Sequence, residues 1–260
     1  MPGNAQIATA GCSDVGRKRT HNEDSFAIVP GEHLFLVADG MGGHASGEVA
    51  SKMAIDTMSE FFQATSADPE ATWPYKMDKT RGYEENRLVT GMMLANRRIF
   101  EAAQRENRLH GMGTTMVALL AVRDSTLIGH VGDSRVYRLR GERLEQLTED
   151  HSLLNDYLKM KAMTPDEVAQ FPHKNVIVRA LGMKETVRVD TVIDSPQPGD
   201  LYIMCTDGLT GPASDDDLRT IALRHQQNLQ ECAQAMVDKA NEGGGPDNIT
   251  VVLCRWQGMT

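Results

Sequence analysis

Residues 34–42 read Leu34-Phe-Leu-Val-Ala-Asp39-Gly40-Met41-Gly42. The apolar run predicts a core strand, and Asp39 stands directly at its end. One Asp-Gly pair after a strand is most often only a turn signal. The arrangement recurs, however: apolar strands also run into Asp133 and Asp207, and in mirror order Asp247 precedes an apolar strand. The repetition indicates a shared site more than a series of unrelated turns.

Carboxylates at the ends of neighbouring core strands converge, and Glu23 and Asp24, just before the strand 25–29, join them. Such acids repel one another strongly unless a cation compensates. Oxygen ligands suit hard octahedral ions such as Mg²⁺ or Mn²⁺, and glycine allows the backbone to approach an ion closely. Two ions about 4 Å apart can share a water, lower its pKa and clamp a displacement at phosphorus. Arg19, five residues before Asp24, is placed to supply a planar donor for phosphate.

The rest of the chain predicts antiparallel sheets covered by helices. Short runs rich in Val, Ile, Leu and Thr predict strands at 6–13, 25–29, 34–38, 114–122, 125–132, 134–139, 187–193, 201–205 and 248–255, with a hairpin turn at 140–143. Apolar residues at steps of three or four predict helices at 46–64, 88–106, 215–224 and 228–241. Because the strands come in groups and do not alternate strictly with helices, a doubly wound parallel sheet is disfavoured.

Composition narrows the function classes. The chain has 260 residues, 40% of them hydrophobic and 24% charged, which is typical of a globular protein. Its net charge of −9 disfavours binding to nucleic acid, and the single short basic run, 17–19, is too small for an electrostatic footprint. The longest apolar run, 116–122, is far below the length of about 20 residues that a membrane span needs.

The cysteines indicate a reducing compartment. Cys12, Cys205, Cys232 and Cys254 form no C-x-x-C pair and have no neighbouring histidine cluster, so zinc and redox motifs are absent from the sequence. The N-terminus lacks the basic and apolar regions of a signal peptide. We therefore expect a cytoplasmic protein.

The motifs in order resemble those of the metal-dependent protein phosphatases, the PPM or type 2C family. Segment 16–24 is similar to the family's G-x-x-R-x-x-N-E-D, and 39–44 to its D-G-M-G-G-H. Later motifs match in the right order at 113–115, 131–135, 147–152, 179–182, 206–209 and 245–248. Any one motif is weak, but the ordered set, spanning about 6–256, is highly specific.

The resemblance implies an α+β fold. It is a four-layer αββα sandwich of two antiparallel β-sheets flanked by helices, with the metal centre in a cleft at one end. Residues 1–260 would form one phosphatase domain, in which 148–182 corresponds to the family's variable flap, a candidate for substrate choice.

The resemblance also implies the metal ligands. Asp39 corresponds to the residue that bridges two Mn²⁺ or Mg²⁺ ions, and Asp207 and Asp247 to those that complete one of the sites. The Gly40 carbonyl and Glu23, the latter directly or through water, correspond to the ligands of the other site.

Further roles carry over to single residues. Asp133, with Asp207, is similar to the weaker third metal site of bacterial members, Asp24 to the residue that orients metal-bound water, and Arg19 to the one that grips the substrate phosphate. Some eukaryotic members have a histidine, proposed as the general acid, where this chain has Met41. His44 is a candidate proton donor, although we expect it to be structural and expect His44→Ala to keep roughly a tenth or more of the wild-type rate.

The function implied is hydrolysis of phosphoserine and phosphothreonine monoesters in proteins by a metal-activated bridging water. The expected setting is opposition to a bacterial Ser/Thr kinase, by a protein that we expect to be a monomer. One alternative is a non-catalytic metal-binding, partner-switching module on the same fold. Another is a two-metal phosphodiesterase or nuclease, which the acidic charge and the lack of a basic groove disfavour.

One segment does not fit the regular scheme. Residues 65–87 form a predicted connection of 23 residues between the long helices, with Trp73, Tyr75 and Tyr83. Loops of this length are usually functional or disordered. Two readings are open: a folded loop that packs on the two helices, or a docking surface for a kinase or regulator.

Overall fold

In a computed structural model, the chain forms two antiparallel β-sheets packed face to face, with helices on both outer sides. The structure describes residues 5–42, 46–68, 70–164, 167–168, 171 and 176–259. The expected α+β class, with two sheets flanked by helices, is confirmed. None of the helices in these ranges is long and apolar enough to cross a membrane.

The element bounds follow in chain order. The strands are β1 (Ala5–Asp14), β2 (Asp24–Val29), β3 (Leu34–Met41), β4 (Gly113–Thr114), β5 (Met116–Val122), β6 (Ser125–Val131), β7 (Arg135–Arg140), β8 (Arg143–Gln146), β9 (Asp190–Asp194), β10 (Leu201–Cys205) and β11 (Ile249–Met259). The described α-helices are α1 (Ser46–Ala67), α2 (Tyr83–Arg105), α3 (Leu153–Met160), α4 (Asp207–Thr210), α5 (Asp215–Arg224) and α6 (Leu229–Glu242).

The strand order places the ends of the central strands side by side. One sheet has the order β1-β11-β10-β7-β8, and the other has β2-β3-β5-β6-β9, with β4 paired to β3. In the second sheet, Asp24 and Asp39 are direct cross-strand partners. In the first sheet, Cys205 pairs with Arg135 and Leu201 with Leu139, so β7 and β10 run antiparallel in close register.

Each central strand serves two cores, because successive side chains of a strand point to opposite faces. In β3, Phe35 and Val37 pack between the sheets, whereas Leu34, Leu36 and Ala38 pack against α1 and α2. On the other outer side, α5 and α6 cover the sheet that contains β10 and β11. This double burial explains why β3 reads as an unbroken apolar run. It fixes the position of the aspartate at the end of the strand.

The predicted bounds of the interhelical connection are wrong. Helix α1 continues to Ala67 and α2 begins at Tyr83, so the connection covers 68–82 and not 65–87. The prediction started α2 at Leu88, the first residue of the apolar stripe. The preceding turn contains Glu84 and Glu85, which interact favourably with the positive end of the helix dipole and extend the helix.

The connection packs onto the two long helices. The Trp73 ring lies 5.8 Å from the Phe61 ring and 5.1 Å from the Tyr83 ring, measured between centroids. The Asn86 side chain donates to the carbonyls of Asp78 and Arg81 at 3.0 and 3.1 Å. These contacts match the folded-loop reading, whereas the docking role stays a prediction.

The structure confirms one of two smaller predicted elements, the turn after β7, and corrects the other, the strand β9. The predicted turn at 140–143 is confirmed, since β7 ends at Arg140 and β8 begins at Arg143. The strand predicted at 187–193 is wrong at its start, because β9 covers Asp190–Asp194 and its pairing with β6 begins only where Asp190 meets His130.

Candidate metal centre

Five aspartates meet at one end of the two sheets. Asp24 begins β2, and Asp39 lies two residues before the end of β3. Asp133 follows β6, Asp207 begins α4 just after β10, and Asp247 precedes β11. Asp39 interacts electrostatically with all four of the others. The structure therefore brings together the aspartates that end or begin separate strands.

Burial dominates the electrostatics of Asp39 and Asp24. Loss of water raises the pKa of Asp39 well above its usual value, and the surrounding carboxylates raise it further. Burial likewise raises the pKa of Asp24 to about 7, although hydrogen bonds from Thr250 and Thr206 oppose the shift. The Thr206 hydroxyl donates to Asp24 Oδ2 at 2.9 Å. Both acids thus favour a proton or another cation over a bare negative charge.

Asp133 and Asp207 show the same imbalance. Burial, followed by repulsion from Asp207 and Asp150, raises the pKa of Asp133 to about 7. Burial and repulsion from Asp247 also raise the pKa of Asp207, with opposing contributions from a hydrogen bond with Asp39 and from nearby arginines.

Gly40 lies where no side chain fits. Its backbone N–H donates to the Glu23 carbonyl at 3.1 Å. A Cβ on Gly40 would lie 2.1 Å from the Gly47 carbonyl oxygen and 2.4 Å from that of Glu23. Gly47 is equally restricted, because its Cβ would lie 2.7 Å from Glu23 Oε1. The glycines therefore hold the Glu23 carboxylate against the first turn of α1, next to the end of β3.

Arg19 is drawn into the cluster by Asp247. Its Nη2 donates to Asp247 Oδ2 at 2.8 Å, and about half of the Arg19 side chain stays exposed. The other Asp247 oxygen accepts from the Asn248 backbone N–H at 2.8 Å. The guanidinium therefore lies at the open side of the cluster, where an incoming phosphate could also reach it.

Sequence reasoning missed the residues that hold the cluster in place. The Asn248 amide donates to the carbonyls of Val15 and His21, and its oxygen accepts from the Glu23 N–H at 2.8 Å. Thr115 Oγ1 accepts from the Asp39 N–H at 3.1 Å. Both residues stand inside motifs named above, Thr115 in 113–115 and Asn248 in 245–248. The motifs alone do not show which residues bind a metal and which only hold the others in place.

The proton donor candidate His44 lies outside the described residues. Met41, which stands at the position of the eukaryotic histidine, ends β3 and pairs with Gly113. Its thioether has no acidic proton, so this side chain supplies no general acid.

A second group of possible metal ligands lies apart from the five aspartates. Nitrogens of His130 and His151 and an oxygen of Asp190 lie within 4.8 Å of one another. Arg179 Nη1, however, lies 3.1 Å from Asp190 Oδ2, so this carboxylate already has a cationic partner.

The aspartate cluster fits divalent cations better. Asp24 Oδ1 and Asp133 Oδ1 are buried and, within the described part of the chain, accept no hydrogen bond. Buried oxygens without donors, in a group of acids that exceeds its nearby arginines, form the ligand set of a hard divalent ion.

Comparisons with known proteins agree with this chemistry. The sequence profile of the protein phosphatase 2C family matches residues 15–253. A serine/threonine phosphatase stp of Listeria welshimeri is 38% identical over 248 residues, covering 93% of this chain and 92% of that protein. The crystal structure of the Mycobacterium tuberculosis serine/threonine phosphatase PstP/Ppp superposes with a TM-score of 0.84 at 33% identity, covering 96% of this chain and 99% of the other.

A structure described as the catalytic domain of the serine/threonine protein phosphatase PstP in complex with two manganese ions is 32% identical, with a TM-score of 0.80 and coverage of 97% and 99%. These relatives are enzymes, and nothing in the comparisons supports the non-catalytic alternative. The predicted activity on phosphoserine and phosphothreonine in proteins is confirmed. The chain belongs to the protein phosphatase 2C family and is a serine/threonine protein phosphatase.

Proposed function

We propose that this phosphatase uses two Mn²⁺ or Mg²⁺ ions, with Asp39 shared between them, Asp207 and Asp247 at one site, and the Gly40 carbonyl and Glu23 at the other. The observation that carries the proposal is the group of five aspartates in which the buried Asp24 and Asp133 each keep an oxygen that accepts no hydrogen bond from the described residues. When bound, such ions supply a water of lowered pKa and neutralise charge on a transferred phosphoryl group.

The chain's own residues then prepare the substrate. We propose that Arg19 exchanges its bond with Asp247 for the substrate phosphate, since a guanidinium binds two oxygens of a phosphate in a planar fork. Asp24 is held by Thr206 and is buried, so its remaining oxygen can accept a hydrogen bond from the attacking water and orient it. Asp133 and Asp207 form a third, weaker cation site in this proposal.

The setting is proposed as well. The four cysteines are free thiols, which agrees with work in the reducing cytoplasm against a Ser/Thr kinase. Residues 148–182 act as a flap over the phosphoprotein, within one domain that spans 1–260 and works as a monomer.

A phosphothreonine peptide tests the metal assignment. We expect turnover with Mn²⁺, loss of turnover in EDTA, and loss with Mn²⁺ in Asp207→Asn. The asparagine has the same size, so its circular dichroism spectrum should match that of the wild type. Turnover in EDTA, or an Asp207→Asn variant as active as the wild type, would contradict the assignment.

A further inference from the structure

His151 lies at the first root of the flap, by which we mean residues 149–153. Its side chain is only 5% exposed, and its ring stacks on that of His130 with 4.7 Å between centroids and 19° between planes. The proposed catalytic chemistry does not use either histidine. A buried, ordered pair of imidazoles at this place calls for a separate explanation.

Two hydrogen bonds join His151 to Gly132. The His151 backbone N–H donates to the Gly132 carbonyl at 2.9 Å, and the Gly132 N–H donates to His151 Nδ1 at 3.0 Å. Because a backbone N–H can only donate, Nδ1 must carry the lone pair. The neutral ring then carries its proton on Nε2, which donates to Asp190 Oδ2 at 3.1 Å.

Gly132 directly precedes Asp133 and has a left-handed backbone, with φ of +108°. A Cβ on Gly132 would lie 2.6 Å from Thr115 Cβ, so the Gly132 backbone packs closely against Thr115, the residue before β5. A turn with this backbone is held by its hydrogen bonds and contacts. Because Asp133 follows directly, we expect a rotation of the Gly132 peptide to shift the Asp133 carboxylate. Its Oδ1 is buried and accepts no hydrogen bond from the described residues.

His151 also joins the second root of the flap, residues 176–179. The Val178 N–H donates to the His151 carbonyl at 2.9 Å, and the Leu153 N–H donates to the Val176 carbonyl at 2.8 Å. Arg179 pairs with the same Asp190 oxygen that accepts from His151. The His151 ring thus contacts the turn before Asp133, Arg179 in the second root of the flap and Asp190 at the start of β9. The His151 backbone carbonyl makes the bond to Val178.

We propose that His151 is a positioning residue that holds the Gly132–Asp133 turn against the roots of the flap, so that cation binding at Asp133 depends on the bond from the Gly132 N–H to Nδ1. The proposal rests on the assignment of Asp133 under Proposed function. It adds a physical link by which the position of the flap and the occupancy of that site affect each other.

Two substitutions separate the two ring nitrogens. In His151→Asn the amide oxygen lies near the place of Nδ1 and can still accept from Gly132. In His151→Gln the amide nitrogen reaches toward the place of Nε2 and can still donate to Asp190, but the Gly132 N–H loses its acceptor. His110, which is exposed, provides matched controls as His110→Asn and His110→Gln.

Mn²⁺ binding is measured directly, by the electron paramagnetic resonance signal of free Mn²⁺ during titration. We expect His151→Gln to weaken the lowest-affinity site about tenfold, the effect of one lost hydrogen bond, and His151→Asn to weaken it roughly threefold or less. In an Asp133→Asn background, which removes the site, His151→Gln should cause no further change in the isotherm. The His110 variants should match the wild type.

The outcomes are distinguishable. Equal weakening by both His151 variants, or a lowered melting temperature with an unchanged isotherm, would overturn the positioning role and leave Asp133 as a ligand. An isotherm that Asp133→Asn leaves unchanged would overturn the assignment of Asp133 and the proposal with it. Circular dichroism of each variant confirms that binding is compared between folded proteins.

Discussion

The aspartates at the two ends of β10 have opposite electrostatic surroundings. Asp200, just before the strand, is 2% exposed and accepts from Arg140 Nη2 at 2.6 Å and Nε at 2.9 Å. Asp207, just after the strand, lies among other acids, and burial together with Asp247 raises its pKa.

The same difference extends to strands of the other sheet. At the Asp200 end, Asp194 accepts from Arg138 and from the Tyr202 hydroxyl. At the Asp207 end, Asp24 and Asp133 each keep a buried oxygen for which the described part of the chain offers no donor. A buried acid that has its own guanidinium holds the fold together, whereas buried acids that outnumber their cations indicate a site whose cations come from solution.

The largest expected effect is on Asp39, which interacts with every other acid of the cluster. Asp39→Asn should lower kcat/KM with Mn²⁺ by about 10³ or more, because loss of the ligand that we propose to be shared by two ions would remove several kcal/mol of charge stabilisation. In EDTA the same variant should melt at an equal or higher temperature than the wild type, since a repelling charge is gone. Steady-state kinetics and thermal melts check both parts. A variant that keeps its activity, or that melts well below the wild type in EDTA, would contradict the difference between the uncompensated acids at the Asp207 end and the paired acids at the Asp200 end.

The next largest effect is expected for substitutions of Arg19, which forms an ion pair with Asp247 of the cluster. Arg19→Ala should lower kcat/KM for a phosphopeptide by about 10- to 100-fold, the range expected for one or two charge-assisted hydrogen bonds to phosphate. Arg19→Lys should restore only part of the loss, because an ammonium lacks the planar fork. Inhibition by inorganic phosphate should weaken in parallel. Unchanged kinetics in Arg19→Ala would remove Arg19 from the phosphate site.

At the opposite end, Asp200→Asn should affect the fold and not the chemistry. It removes the charge that Arg140 and the Gln197 N–H bind, so the free energy of unfolding should fall by about 1–3 kcal/mol. Urea denaturation measures the change, and kcat/KM at 25 °C should stay within about twofold of the wild type. A large loss of activity in the folded variant would show that the two ends are not separate in function.

The sequence predicted the cluster better than its surroundings. A strand that is buried on both faces has an unbroken apolar run, so the apolar parts of β3 and β10 were readable, and with them the places of Asp39 and Asp207. The end of β3 was placed too early, because the strand continues through Asp39 to Met41. The start of β9 was not readable, because it depends on pairing with β6 across a long separation in sequence. Helix α2 began earlier than its apolar stripe because acidic residues extended its first turn.

The residues that hold the cluster in place could not be predicted from the sequence, for a related reason. His151 is one of eight histidines, and only the folded chain places its Nδ1 at 3.0 Å from the Gly132 N–H. Asn248 likewise becomes a clamp only when the chain around 15–23 returns to it. The acids near strand ends follow a pattern along the chain, whereas the residues that support them are fixed by contacts between distant segments.

The smallest expected effect is a pH dependence of the metal-free protein. The pKa of Asp133 is raised to about 7 in the folded state, whereas an unfolded aspartate has a pKa near its ordinary value. The folded state therefore binds more protons between these two values. Its stabilisation is fully present below about pH 4 and is lost as the pH rises through about 7.

In EDTA, the wild-type melting temperature should thus fall between pH 5 and pH 8 relative to that of Asp133→Asn, by a few degrees. Asn has no proton to lose, so the difference between the two curves reports the titration of Asp133 together with its interactions with the neighbouring acids. Mn²⁺ should raise the wild-type melting temperature more at pH 8 than at pH 5, because the cation competes with the proton for the same oxygens. Asp200→Asn should leave this pH dependence of the Mn²⁺ effect unchanged, since the Asp200 carboxylate is paired with Arg140. A wild-type curve parallel to that of Asp133→Asn would mean that the Asp133 end of the sheets is as well compensated as the Asp200 end.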